Sequence, residues 1–230
     1  SESAEPSVLA HHYLVAAGET DLDAELAMKA IDYLQLATRR AAQSGANLEA
    51  IEQSTKAIEL ISRLPGSPEL EKKELTLQLT LGPLLMASRG FAVPEVGATL
   101  QRAHDLSRLH ADSRQLFSVS RGLWQYRLVL GELPQALELG RELLEVADRE
   151  EGHALASEAY RTVGETTMMM GKLDESRDAY HRGVLAFDDT AFFTAESPLV
   201  MCVKYSAWTD WLLGEPVLAQ QKSVEGEALA

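Results

Sequence analysis

Glycine recurs along this chain at Gly45, Gly90, Gly131, Gly171 and Gly214, at intervals of 45, 41, 40 and 43 residues. Each glycine closes one helical pattern and opens the next. Self-similarity at a fixed period of roughly 20–50 residues is the mark of stacked repeats, and it constrains the fold more than composition does. The unit is clearest over residues 156–183, ASEAYRTVGETTMMMGKLDESRDAYHRG. Its first half carries Tyr160, Val163, Gly164 and Thr167. Its second half carries Leu173, Ser176, Ala179, Tyr180 and Gly183. Spacings of three and four place each set on one face of a helix. The small positions Gly164, Ser176 and Ala179 let a neighbouring backbone approach closely. A small or apolar residue also follows every turn glycine: Ala50, Val96, Ala136, Ser176 and Ala219. Such a hairpin cannot bury its apolar face alone and has to stack on its own copies.

An aromatic, an apolar-Gly pair, a turn glycine, a small residue, an aromatic and another small residue together resemble a tetratricopeptide (TPR) repeat. The period here is longer than the usual ~34 residues. That resemblance implies an all-α chain, a right-handed α-solenoid of about five degenerate TPR-like hairpins and about 11 helices. No linker is long enough to divide the chain, so 1–230 reads as one repeat domain. It starts at Ser1, without Met, inside a helical pattern, which is the expectation for a segment of a larger protein.

In order, Pro6 starts a helix that runs to Ala17. Asp21 or Asp23 caps a second, and Asn47 a third. Leu64–Pro68 is a loop, with Pro68 at the first position of a fourth helix, in which Pro83 predicts a kink. Pro94 opens a fifth helix. Asp112 caps a sixth, with Leu116, Leu123, Leu128 and Leu130 as core. Leu133 to Asp148 form a seventh. Glu151-Gly152 is a break and Asp188 to Thr190 a short loop. Helix from Ala191 is interrupted at Ser197-Pro198. Val200 to Leu213 and Pro216 to Leu229 close the pattern.

Composition removes several function classes. Of the 230 residues, 46% are hydrophobic, enough for a core without staples. The net charge of −14 argues against nucleic-acid binding, which needs a basic face. One cysteine, Cys202, excludes a disulfide framework and a thiolate zinc site. Its VMCVKY setting reads as a buried structural thiol. No signal peptide and no apolar run of about 18 residues is present, so neither membrane nor export is expected, and the expected setting is cytoplasmic.

Chemistry is equally sparse. Phosphate loops, H-E-x-x-H and G-x-S-x-G are missing. His11 and His12 are adjacent and diverge by about 100° on a helix. His104 and His110 fall on different faces. No catalytic residue, cofactor or metal site is expected. Met168, Met169 and Met170 read as packing between helices.

The TPR resemblance implies that the first helix of each pair faces the concave side. Counting from the turn glycines, equivalent positions are Leu79, Arg121, Arg161 and Lys204, and one turn on, Pro83, Gln125, Glu165 and Trp208. Arg121, Gln125, Arg161, Glu165, Lys204, Tyr205 and Trp208 are therefore the candidate binding residues. Three cations at one repeat position form a ladder able to grip an acidic peptide or loop, with Trp208 as a stacking face. The alternative for the same cations is that they are solvated or salt-bridged to Glu165 and its neighbours.

Longer stretches resemble a particular arrangement. They are LAHHYLVAAG, LTLQLTLGPLLMASRGFAVPEVGATLQRAHDL, QLFSVSRGLWQYRLVLGELPQALELGREL and ESPLVMCVKYSAWTDWLLGEPVLA. Together they resemble the C-terminal TPR region of bacterial signalling proteins that carry an adenylate/guanylate cyclase domain, a STAND/AAA-like ATPase domain and helical repeats. That resemblance implies a non-catalytic, cytoplasmic interaction and regulatory module, with a protein or peptide and the upstream domains of the same polypeptide as partners. Related repeats follow ATPase domains in LuxR/MalT-type transcription activators. That alternative implies a small-molecule effector site in an enclosed apolar cavity near Trp124, Trp208 and Trp211.

Overall fold

The computed structural model describes residues 5–18, 22–149, 155–188 and 197–229, and among these there are eleven helices and no strand. The helices group into two compact units, Ser1–His110 and Ala111–Ala230.

The first unit holds α1 (Pro6–Ala17), α2 (Ala24–Gln43), α3 (Asn47–Ser62), α4 (Pro68–Arg89) and α5 (Pro94–His110). Asp23 caps α2 by accepting from the backbone N–H of Glu25 and Leu26 at 2.9 and 3.0 Å. Asp21 lies outside the described residues. The α3 cap is Ala46, with no side-chain bond, so Asn47 is the first helical residue rather than the cap. The α4 helix continues through Pro83 to Arg89. The core joins Ile31 and Leu34 of α2 to Ala57, Leu60 and Ile61 of α3 and Leu70 and Leu77 of α4. Each fully buried Leu or Ile contributes about 1.5–3 kcal/mol.

The second unit holds α6 (Ser113–Val129), α7 (Leu133–Arg149), α8 (Ala156–Met169), α9 (Leu173–Leu185), α10 (Pro198–Leu212) and α11 (Pro216–Leu229). Asp112 caps α6 through the N–H of Gln115 at 2.8 Å. Leu123 is buried and Leu116 packs against a cluster of Phe117, Leu143 and Val146. Leu130, expected in the core, is exposed at the turn after α6. The expected break at Glu151-Gly152 and the helix from Ala191 lie outside the described residues.

Four hairpins turn in the same way. Gly45, Gly131, Gly171 and Gly214 have φ of 77, 73, 74 and 83°. In each the residue after glycine donates to the carbonyl five back: Ala46 to Ala41, Glu132 to Arg127, Lys172 to Thr167 and Glu215 to Asp210, all at 2.9 Å. This is the Schellman arrangement, which needs a left-handed residue and so selects glycine. Five residues beyond these glycines, Ala50, Ala136, Ser176 and Ala219 of the second helices are all buried. The α4–α5 hairpin differs. Gly90 has φ 91° and ψ 167°, and a longer connection leads to Pro94. A two-pronged ion pair ties that hairpin instead: Arg102 Nε and Nη2 donate to Glu74 Oε1 and Oε2 at 2.7 and 2.6 Å.

Candidate functional site

The candidate face is made by α6, α8 and α10, the first helices of the three hairpins of the second unit. Close packing behind it fixes their spacing. The Tyr180 ring of α9 is fully buried beneath Gly164 of α8, and a Cβ at 164 would stand 2.7 Å from that ring. Ser176 Oγ donates to the Gly164 carbonyl at 2.9 Å. Gly183 sits against Cys202 of α10, where a Cβ would lie 2.6 Å from the sulfur. Trp124 of α6 is 2% exposed, and its Nε1 donates to Thr166 Oγ1 of α8 at 2.9 Å.

On this frame lies a buried ion network. Glu158 is 3% exposed and Arg161 6%. Arg161 Nε and Nη2 donate to Glu158 Oε2 and Oε1, both at 2.7 Å, and Nη1 donates to Glu165 Oε2 at 2.6 Å. Arg121 Nε reaches across from α6 to Glu158 Oε1. The Arg161 guanidinium lies over the Trp124 ring, 5.0 Å from its centroid. Burial pushes the Glu158 carboxyl up, but the hydrogen bonds and charge of Arg161, with Arg121 added, outweigh it and hold the group below its ordinary value. At Glu165 burial prevails over Arg161 and the carboxyl lies above its ordinary value. Burial works against the Arg161 charge as well, yet Glu158 and Glu165 hold its pKa raised.

The structure thus brings Arg121, Gln125, Arg161, Glu165 and Tyr205 of the candidate set to one half-enclosed pocket of about 340 Å³, floored by Trp124 and walled by Leu128 and Met201. Lys204 and Trp208 lie instead in a second, open groove of about 910 Å³ between α10 and α11. Tyr205 borders both, with its ring edge-on to Trp208 at 5.3 Å. Two rungs of the arginine ladder are therefore met inside the chain: Arg161 is an internal cross-link, and one edge of Arg121 is taken by Glu158. Lys204 is exposed and makes no ion pair among the described residues.

Glu158 is the residue that sequence reasoning missed. Its signal was present as Glu158-x-x-Arg161-x-x-x-Glu165, which puts all three on one helical face. The three tryptophans do not share a cavity. Trp124 is in the core, whereas Trp208 and Trp211 are 63% and 66% exposed on the groove with Val217. Met169 is exposed rather than packed. Burial pushes the Cys202 thiol up to about 12, which keeps it protonated and unreactive. Among the described residues no group of His, Cys, Asp and Glu has the arrangement of a metal site, and no helix is long and apolar enough to cross a membrane.

No protein-family model and no curated protein sequence matches the chain. Solved structures do match in fold. A putative kinesin light chain with nearly identical TPR-like repeats, from Podosopora anserina, superposes with a TM-score of 0.65 at 15% identity, over 86% of this chain and 93% of that one. The apo form of RapI gives 0.71 at 11% identity, over 98% of this chain and 62% of that one. MamA from Desulfovibrio magneticus RS-1 gives 0.62 at 13%, over 86% and 94%. The chain has a TPR-like repeat fold. At such identities the likeness extends to the fold alone.

Proposed function

We propose that this chain is a non-catalytic protein-interaction and regulatory module of a cytoplasmic bacterial signalling ATPase that carries a nucleotide cyclase domain. A TPR-like fold fits a protein-interaction module, since solenoids present extended binding surfaces. The single observation that carries the reading is the α10–α11 groove. It exposes Trp208, Trp211 and Val217 beside the ammonium of Lys204, which makes no ion pair among the described residues. Large exposed apolar patches rimmed by charge mark docking surfaces. A complementary partner segment inserts an apolar side chain between the tryptophans and offers a carboxylate to Lys204. Glu227 on the same groove sets a second polar limit. The cyclase and ATPase context rests on the sequence resemblance.

The test is nucleotide cyclase activity of the parent protein, intact, lacking residues 1–230, and carrying Lys204→Glu with Trp208→Ser. Regulation lost on deletion and in the double variant supports the reading. Activity and regulation unchanged in both refute it, and a parent without cyclase activity removes the cyclase context.

A further inference from the structure

The α6–α8–α10 pocket carries matched and unused hydrogen-bonding capacity of both signs. Arg121 uses only Nε, on Glu158, and its two terminal nitrogens make no hydrogen bond among the described residues. Gln125, one turn along α6, lines the same pocket and its amide also makes none. Glu165 spends Oε2 on Arg161, while Oε1 accepts nothing among the described residues. Both Glu158 oxygens are engaged, so they are closed to a ligand. The remaining wall is apolar or aromatic: Trp124, Leu128, Val129, Met201 and the Tyr205 ring.

Two arginines and two glutamates make the cluster neutral as a set. A purely anionic ligand would meet Glu165 and a chain of net charge −14, and a purely cationic one would meet Arg121. A ligand carrying both charges satisfies both free groups at once. The free groups of Arg121, Gln125 and Glu165 are half-buried and keep access to solvent, so a ligand that offers a carboxylate and an ammonium replaces water on both at once. Burial already holds the Glu165 carboxyl above its ordinary value, as expected of an anion short of solvation that a nearby ammonium would restore. The volume of about 340 Å³ suits a molecule of amino-acid size.

We propose that this pocket binds a free α-amino acid with an apolar side chain, its carboxylate on the Arg121 fork and the Gln125 amide, its ammonium on Glu165 Oε1, and its side chain against Leu128, Met201 and Tyr205. The pocket would make the module responsive to a small effector as well as to a protein. It shares the walls Met201 and Tyr205 with the α10–α11 groove but none of the polar groups that hold the ligand, so this inference does not depend on the docking surface.

The test uses the whole 230-residue chain, titrated by calorimetry and by ¹H–¹⁵N spectra of the arginine Nε and glutamine side-chain amides. L-leucine, N-acetyl-L-leucine and L-leucinamide are the probes. Leucine should bind and move the Arg121 and Gln125 signals. Each charge-deleted analogue should bind at least about tenfold more weakly, as expected for one lost charge-assisted contact. Gln125→Leu, which breaks no hydrogen bond of the fold, should weaken leucine by about tenfold. Glu165→Gln should abolish the preference for leucine over its N-acetyl form. No binding of leucine, equal binding of all three probes, or full affinity in Gln125→Leu would each overturn the proposal. Partner capture through Lys204 and Trp208 would be unaffected by that failure.

Discussion

Gly183→Ala, made alone and with Cys202→Ala, tests the packing that spaces α8, α9 and α10. Glycine inside a helix costs about 0.5–1 kcal/mol relative to alanine, so propensity alone predicts that Gly183→Ala stabilises. The structure predicts the reverse. The new Cβ would stand 2.6 Å from Cys202 Sγ and 3.3 Å from both the Ser157 carbonyl and Tyr160 Cβ. Ordinary contact begins near 3.4 Å, and Cys202 is fully buried. Overpacking of this kind costs about 1–3 kcal/mol. It exceeds the propensity gain, so the single variant should lose roughly 1–2 kcal/mol. Cys202→Ala removes the sulfur and should cost about 1 kcal/mol. In the double variant the new methyl occupies the vacated space. It should be at least as stable as Cys202→Ala alone, giving a coupling of about 1–3 kcal/mol. Urea unfolding followed by circular dichroism measures this, because a slope of about 1–3 kcal/mol per molar turns a 2 kcal/mol loss into a midpoint shift of about 1 M. A stabilised Gly183→Ala, or single effects that simply add, would refute the reasoning.

Other outcomes follow from the same packing and charges. Gly164→Ala should lose about 1–3 kcal/mol against the Tyr180 ring, and Tyr180→Leu should relieve that clash in a double-mutant cycle. Glu158→Gln should cost about 3 kcal/mol by thermal denaturation, because it takes from the buried Arg161 the carboxylate that engages two of its nitrogens. Glu158 is lowered by its arginines, so its stabilisation is complete above the ordinary glutamate value and is lost as pH falls through its lower folded value. Glu165 is raised, so its contribution has the opposite sign, present at low pH and lost as pH rises through its folded value. Melting temperatures of Glu158→Gln and Glu165→Gln between about pH 3 and 7 should therefore differ from the parent with opposite slopes. The Cys202 thiol should resist a disulfide reagent at about pH 8 in the folded chain and react on unfolding, read by absorbance.

The repeat was legible in the sequence because its turns depend on backbone conformation. Only glycine meets the left-handed requirement cheaply, so Gly45, Gly131, Gly171 and Gly214 mark four hairpins directly. Gly90 belongs to the same series by spacing, but its turn is different and an ion pair holds that hairpin. The small residues after the turns were legible because they recur at one distance from the glycine, and Ala50, Ala136, Ser176 and Ala219 are all buried. The site was only half legible. Spacing placed Arg121, Arg161 and Lys204 at one repeat position, and that register brought Arg121 and Arg161 to one pocket. It did not report that Glu158, one turn before Arg161, would absorb their charge. Nor does a tryptophan's burial follow from its identity. Trp124 is covered by packing of α6 on α8, whereas Trp208 and Trp211 sit on an edge that α11 leaves open. The missed cap at Ala46 has a local cause, since the preceding Schellman turn already sets the entry to α3 without a side-chain bond.

The central claim is that the face bearing Lys204 and Trp208 is where the module meets its partner. Photo-crosslinking in the intact parent protein tests it most directly, with a photoreactive side chain placed at Lys204 and, as a control, at exposed Glu175 on α9. The account predicts crosslinks from position 204 to one defined segment carrying an apolar residue next to an acidic one, and none from position 175. Crosslinks of equal yield from both positions, or from 175 alone, would contradict it.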